Sequence, residues 1–143
     1  MRVFLFTFLF AISAFARDHS ILNGTWTLAP AQSSFNGQPA MQSGTVTISD
    51  REGAIAISRD FQYAGATQTL FYKDTLGNTN NSSFHSSPDL KTKTKWEHDV
   101  LTVTTTQPGS VTVETYRLTP DGTMTVDVNT SGREPITLHF TRQ

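Results

Sequence analysis

From residue 22 onward the chain is made largely of runs in which polarity alternates from one residue to the next. The runs "NGTWTLA", "GTVTIS", "AIAISRDF", "DLKTKTKWE", "VLTVTTT", "TMTVDVN" and "ITLHFTR" all show it, and turn-forming residues separate them. A period of two puts successive side chains on opposite faces of an extended strand. Thr and Val dominate these runs, and branching at Cβ stiffens them toward extended backbone. No segment sustains a helical period. The alternation predicts strands at Leu22–Leu28, Thr45–Ser49, Ala54–Phe61, Thr67–Lys73, Ser82–Ser86, Leu90–Glu97, Val100–Thr106, Val111–Leu118, Thr123–Asn129 and Ile136–Arg142.

The links between them are mostly short and rich in Gly, Pro, Asn and Asp, as in "DREG", "YAGA", "PGS", "PDG" and "SGRE". Short links force consecutive strands to be antiparallel neighbours, which makes a meander. With one wet and one dry face per strand, the sheet must curl on itself or face a second sheet. The expected architecture is all-β, an antiparallel up-and-down β-barrel of about 8–10 strands. Closure also removes exposed edges without a disulfide, in a chain that contains no cysteine. The long link from Ala29 to Gly44 is left open between a lid-like loop and a short helix.

Residues 1–16, "MRVFLFTFLFAISAFA", read as a secretory signal peptide. They carry Arg2, an apolar stretch and an Ala14-Phe15-Ala16 cleavage site. Residues 17–143 are then a single exported domain, periplasmic or extracellular, with a bacterial host suspected and no membrane span after cleavage. The formal net charge of −1 gives no general reason to bind nucleic acid, and a monomer is expected. The absence of cysteine excludes thiol redox chemistry and thiolate metal sites.

Parity assigns the dry face to Leu22, Gly24, Trp26 and Leu28, then Val46, Ile48, Ile55, Ile57 and Phe61. It continues through Leu101, Val103, Met124, Val126, Val128, Ile136, Leu138 and Phe140. In "LKTKTKWEHD", Lys91, Lys93 and Lys95 point one way and Thr92, Thr94 and Trp96 the other. The lysine row reads as a solvated outer face that discourages edge pairing.

Gly24-x-Trp26 on the first strand, paired with Arg142 on the last, resembles the lipocalin and calycin pattern. The resemblance implies that Trp26 plugs one end of the barrel, that Gly24 permits close approach, and that Arg142 packs across the indole as structural closure. Lys95-Trp96 through "ETYRLTPDGTMTV" to "LHFTR" also resembles the hairpin rhythm of fatty-acid-binding-protein-like barrels. Overall the pattern is similar to small secreted bacterial proteins described as lipocalin-like. Two departures stand out: the lipocalin disulfide is absent, and the helix–turn–helix lid of the fatty-acid binders has no clear counterpart.

Inward polar residues carry what chemistry the interior has. Arg59 shares parity with Ile55, Ile57 and Phe61. Arg117 shares parity with Val111 and Val113, although Tyr116 and Leu118 suggest a bulge that flips it; the alternative for both arginines is that they sit at strand ends and reach solvent. Gln68 and Tyr72 join Thr92 and Thr94 as inward candidates. An inward guanidinium suits a carboxylate head group, because its forked donors match two oxygens. The residues assigned to ligand binding are Arg59, Phe61, Tyr72, Phe84, Trp96 and Arg117, and the aromatic ones also read as core.

No catalytic residue is assigned. His85, His98 and His139 lack metal-ligand spacing, no Ser stands in a nucleophile-elbow context, and "PDG" at 120–122 reads as a turn. No metal or cofactor is expected. The expected function is non-covalent binding of a small hydrophobic or amphipathic ligand, with a carboxylate as one candidate head group. The alternative is a filled-barrel protein-interaction, inhibitor or envelope-structural module. An exposed apolar patch near Phe35 and Met41 would favour that alternative.

Overall fold

The computed structural model describes residues 20–51, 54–75, 79–80, 82–83 and 90–143, with side chains described for 21–51, 54–67 and 90–143. The expected leader, together with Phe84 and His85, lies outside the described residues.

A 3-10 turn at Ser20–Leu22 leads into β1 (Gly24–Leu28), and a second 3-10 turn follows at Pro30–Gln32. Then come β2 (Met41–Arg51), β3 (Ala54–Tyr63), β4 (Ala66–Thr75), β5 (Thr79–Asn80) and β6 (Ser82–Ser83). The chain finishes with β7 (Lys91–Glu97), β8 (Val100–Gln107), β9 (Ser110–Leu118), β10 (Met124–Thr130) and β11 (Ile136–Arg142). All pairings are antiparallel, in the order β5-β7-β8-β9-β10-β11-β1-β2-β3-β4-β6. The two ends of that order come together, since β5 pairs with β7, β6 pairs with β4, and β4 touches β7. The meander is therefore an up-and-down barrel, with β1 seated between β2 and β11.

The alternation does what its period requires. Buried positions recur at every second residue of β3 and β8, and the inner faces of β1, β2, β10 and β11 supply most of the remaining core. Thr92 and Thr94 are buried on β7, while Lys91, Lys93 and Lys95 are exposed. Val128 is only partly buried, packed against the core.

Where β1 meets β11, Trp26 is fully buried. Its indole N–H donates to the Leu22 carbonyl at 2.9 Å, so the polar edge of the ring is satisfied. Trp26 is directly opposite Arg142 in the β1–β11 ladder, and the guanidinium carbon lies 4.2 Å from the ring centre. The same guanidinium donates to the backbone carbonyls of Ile21 and Asn23. Arg142 thus ties the indole and the chain before β1 to the final strand.

Gly24 takes φ +129°, and a Cβ built there would stand 2.9 Å from Arg142 Nη1. Gly24→Ala is expected to cost about 1–3 kcal/mol through backbone strain and displacement of Arg142. Urea denaturation would measure it; an unchanged midpoint would show that neither constraint acts.

The segment left open in the sequence is neither a free lid nor a helix of any length. After the 3-10 turn it continues along β11. Ala29 N donates to His139 O at 2.7 Å, Ser34 and Thr137 exchange backbone bonds of 2.8 and 3.0 Å, and His139 N donates to Ser33 Oγ at 3.0 Å. These bonds cover the part of β11 that β1 leaves unpaired. β2 begins at Met41, earlier than its alternation shows, and Met41 is buried. At the β9–β10 turn, the Asp121 carboxylate accepts from the Thr119 and Thr123 hydroxyls and from Thr123 N, which hold its pKa at about 2. Asp121 is a turn cap.

Candidate functional site

The ladder registers stack the inner face into rows. One row crosses the wall as Trp96–Leu101–Tyr116–Val126–Leu138. The next is Thr94–Val103–Glu114–Val128–Ile136, and beyond it Thr92 stands opposite Thr105. Directly paired residues share a face, so Glu114 points where Val103 points, into the barrel. It is only 5% exposed.

On the opposite wall, Arg59 of β3 stands beside Val46 and is 4% exposed. Between β3 and β9 lie β10, β11, β1 and β2 on one side and β4, β6, β5, β7 and β8 on the other. The Arg59 side chain spans this interior and its Nη2 donates to Glu114 Oε2. Its guanidinium carbon lies 5.8 Å from the centre of the Tyr116 ring. The site is a charged pair carried across the barrel beside Tyr116, with Thr92, Thr94 and Thr105 buried on the same wall as Glu114.

Burial pushes the Glu114 carboxyl above its ordinary pKa, and the Arg59 charge and hydrogen bond pull it only part of the way back. The Thr105 hydroxyl is buried with no hydrogen-bond partner. Among the described residues, no group of three or more His, Asp or Glu is placed to hold a metal ion.

The residues singled out from sequence fare differently. Arg59 and Phe61 face inward, two positions apart on β3. Phe61 is buried over Gly44, its pairing partner, where a Cβ would meet the ring at 2.5 Å. The ring fills space that only a glycine leaves. Trp96 is partly buried in the same row as Tyr116. The β4 backbone places Tyr72 opposite Ile57, and its side chain lies outside the described residues, as do those of Gln68 and Phe84.

Arg117 does not face the interior as its parity with Val111 and Val113 predicts. Its side chain is 46% exposed and donates to Asp127 Oδ2 on the outer face. The β9 ladder runs without a bulge, so Tyr116 facing in obliges Arg117 to face out. Val111, on the same face, is 40% exposed, and its parity misled the assignment. Arg117→Ala is expected to cost less than about 1 kcal/mol, as exposed ion pairs do. It should also leave any interior ligand unaffected; thermal melts with and without ligand would check both, and a larger loss would place Arg117 in the site.

Glu114 and Thr105 are the functional candidates that strand-by-strand parity missed. The available signal was cross-strand. Once Val103 is inward, hairpin register through the "PGS" turn puts Glu114 beside it.

The fold is similar to that of solved fatty-acid-binding-protein-like up-and-down β-barrels. Wild-type fluorescent protein UnaG superposes with a TM-score of 0.68 at 16% identity, over 88% of this chain and 100% of that one. The Schistosoma mansoni fatty acid binding protein in complex with arachidonic acid gives a TM-score of 0.61 at 16% identity, over 87% and 98% of the two chains. The REP1-NXSQ fatty acid transporter gives 0.62 at 15% identity, over 87% and 97%. No protein-family model matches the chain, and no curated protein matches it.

Proposed function

We propose that this barrel binds a small hydrophobic or amphipathic molecule non-covalently and releases it unchanged. The observation that carries the reading is the buried Arg59–Glu114 pair in an otherwise largely apolar interior, with Thr92, Thr94 and Thr105 also buried on the inner face. A barrel built only to be filled would be as stable or more stable with well-packed apolar residues in place of the ion pair. A few polar groups aimed into an apolar space are what orient an amphipathic ligand. The unpartnered Thr105 hydroxyl adds a group that such a ligand would satisfy. Likeness to proteins that bind or transport fatty acids supports the same reading.

The interaction-module alternative is less well supported. Met41 is buried and Phe35 packs against the core, so the patch that would favour it is not formed there. We further propose that the protein is exported after loss of residues 1–16, a reading supported by the composition of that segment, and that it acts as a monomer.

The test is native mass spectrometry of the gently purified exported protein, followed by a tryptophan-fluorescence screen of long-chain alcohols, acids and esters. A co-purifying small molecule, or saturable quenching by one ligand class, is expected. An apo mass with no response across the panel would reject the binding reading.

A further inference from the structure

We infer that the ligand of this barrel carries an uncharged polar head group, a hydroxyl, ester or amide rather than a carboxylate, and that Glu114 sets this preference. The inference rests on the binding reading above and adds the chemical class of the ligand.

An inward arginine alone would invite an acid. Here, however, Glu114 accepts from the Arg59 guanidinium from the opposite wall. The protein's own carboxylate stands where a ligand's would go. Among the described residues, Arg59 and Glu114 are the buried charged side chains, so the charges they bring into the interior cancel.

A ligand carboxylate would add a second negative charge beside Glu114, in surroundings that already disfavour the ionised form of Glu114. Two carboxylates sharing one buried site do not both stay ionised, so an acid enters only with a proton. An ammonium would meet the Arg59 charge in the same way. A neutral head group meets neither obstacle. A hydroxyl donates to a Glu114 oxygen, and an ester or amide carbonyl accepts from the unpartnered Thr105 hydroxyl.

The experiment uses the exported chain and two probes of equal chain length, hexadecan-1-ol and hexadecanoate, titrated at about pH 8, well above the ordinary carboxylate range. The alcohol is expected to bind at least about ten-fold more tightly. Glu114→Gln, which keeps the shape and leaves Arg59 unneutralised, should reverse that order. Calorimetry of the wild-type protein in buffers of different ionisation enthalpy gives a second measurement that needs no variant. Hexadecanoate should bind with uptake of about one proton, and the alcohol with none.

Hexadecanoate bound as tightly as the alcohol with no proton taken up would overturn the inference while leaving the binding reading intact. An order of affinities unchanged in folded Glu114→Gln would overturn the role of Glu114. If neither probe binds and no other ligand is found, the binding reading fails, and this inference fails with it.

Discussion

Replacing Trp26 with alanine is expected to destabilise the protein by about 3–5 kcal/mol, the largest loss anticipated for any single truncation in the core. Three contributions act together. The indole is fully buried, so its removal leaves a cavity in the core. The hydrogen bond to the Leu22 carbonyl is lost, which frees the 3-10 turn before β1. The Arg142 guanidinium loses the ring it covers, an interaction worth roughly 0.5–2 kcal/mol in itself. Urea denaturation of Trp26→Ala and Arg142→Ala, followed by tyrosine emission and far-ultraviolet circular dichroism, separates these parts. Arg142→Ala should show only the smaller effect. A loss below about 1 kcal/mol for Trp26→Ala would mean that the ring does not hold the barrel closed.

The second large effect is expected at Glu114. Glu114→Ala leaves the Arg59 charge buried opposite a vacancy, and removing one partner of a buried ion pair typically costs about 3–5 kcal/mol. The double replacement Arg59→Met with Glu114→Leu should recover most of that loss and can exceed the parent in stability. Such a double-variant cycle distinguishes a pair kept for what the interior must recognise from one that holds the fold together. If the double variant is as unstable as Glu114→Ala, the pair is structural.

The pH dependence has a defined sign. Burial raises the folded-state pKa of Glu114 above its unfolded value, so the native state holds its proton more tightly. The Glu114 contribution to stability is therefore complete below the unfolded pKa and declines as pH rises through the folded one. Glu114→Ala should remove that part of the pH profile.

Much of this fold is legible in the alternation because each strand shows one dry face. For β3 and β8 the apolar residues are themselves the inward ones, so polarity and direction coincide. On β9 they part. Val111 and Val113 begin the strand on the face that carries Arg117, while Glu114 and Tyr116 point inward. Polarity read along one strand reports residue type, and direction follows only from pairing with a neighbour whose face is known. The same reason hides the site. Arg59 is visible as an inward charge, but its partner is 55 residues away in sequence and lies across the barrel. Nothing local to either residue marks the pair. Gly24, Trp26 and Arg142 are easier to connect, because a closed meander must bring its first and last strands together.

That meeting of the ends bears on how the chain reaches its final form. The Arg142 guanidinium holds backbone carbonyls at Ile21 and Asn23, 121 and 119 residues earlier. Hairpins between consecutive strands can assemble while the chain is still emerging, but the seam between β1 and β11 must wait for the final residues. Contacts of such long sequence separation slow folding, and an unsealed sheet edge attracts other chains meanwhile. Stability and speed of sealing are thus concentrated in one short stretch of the seam. Weakening it should lengthen the time spent open, and so raise aggregation during refolding more than the equilibrium loss alone would suggest.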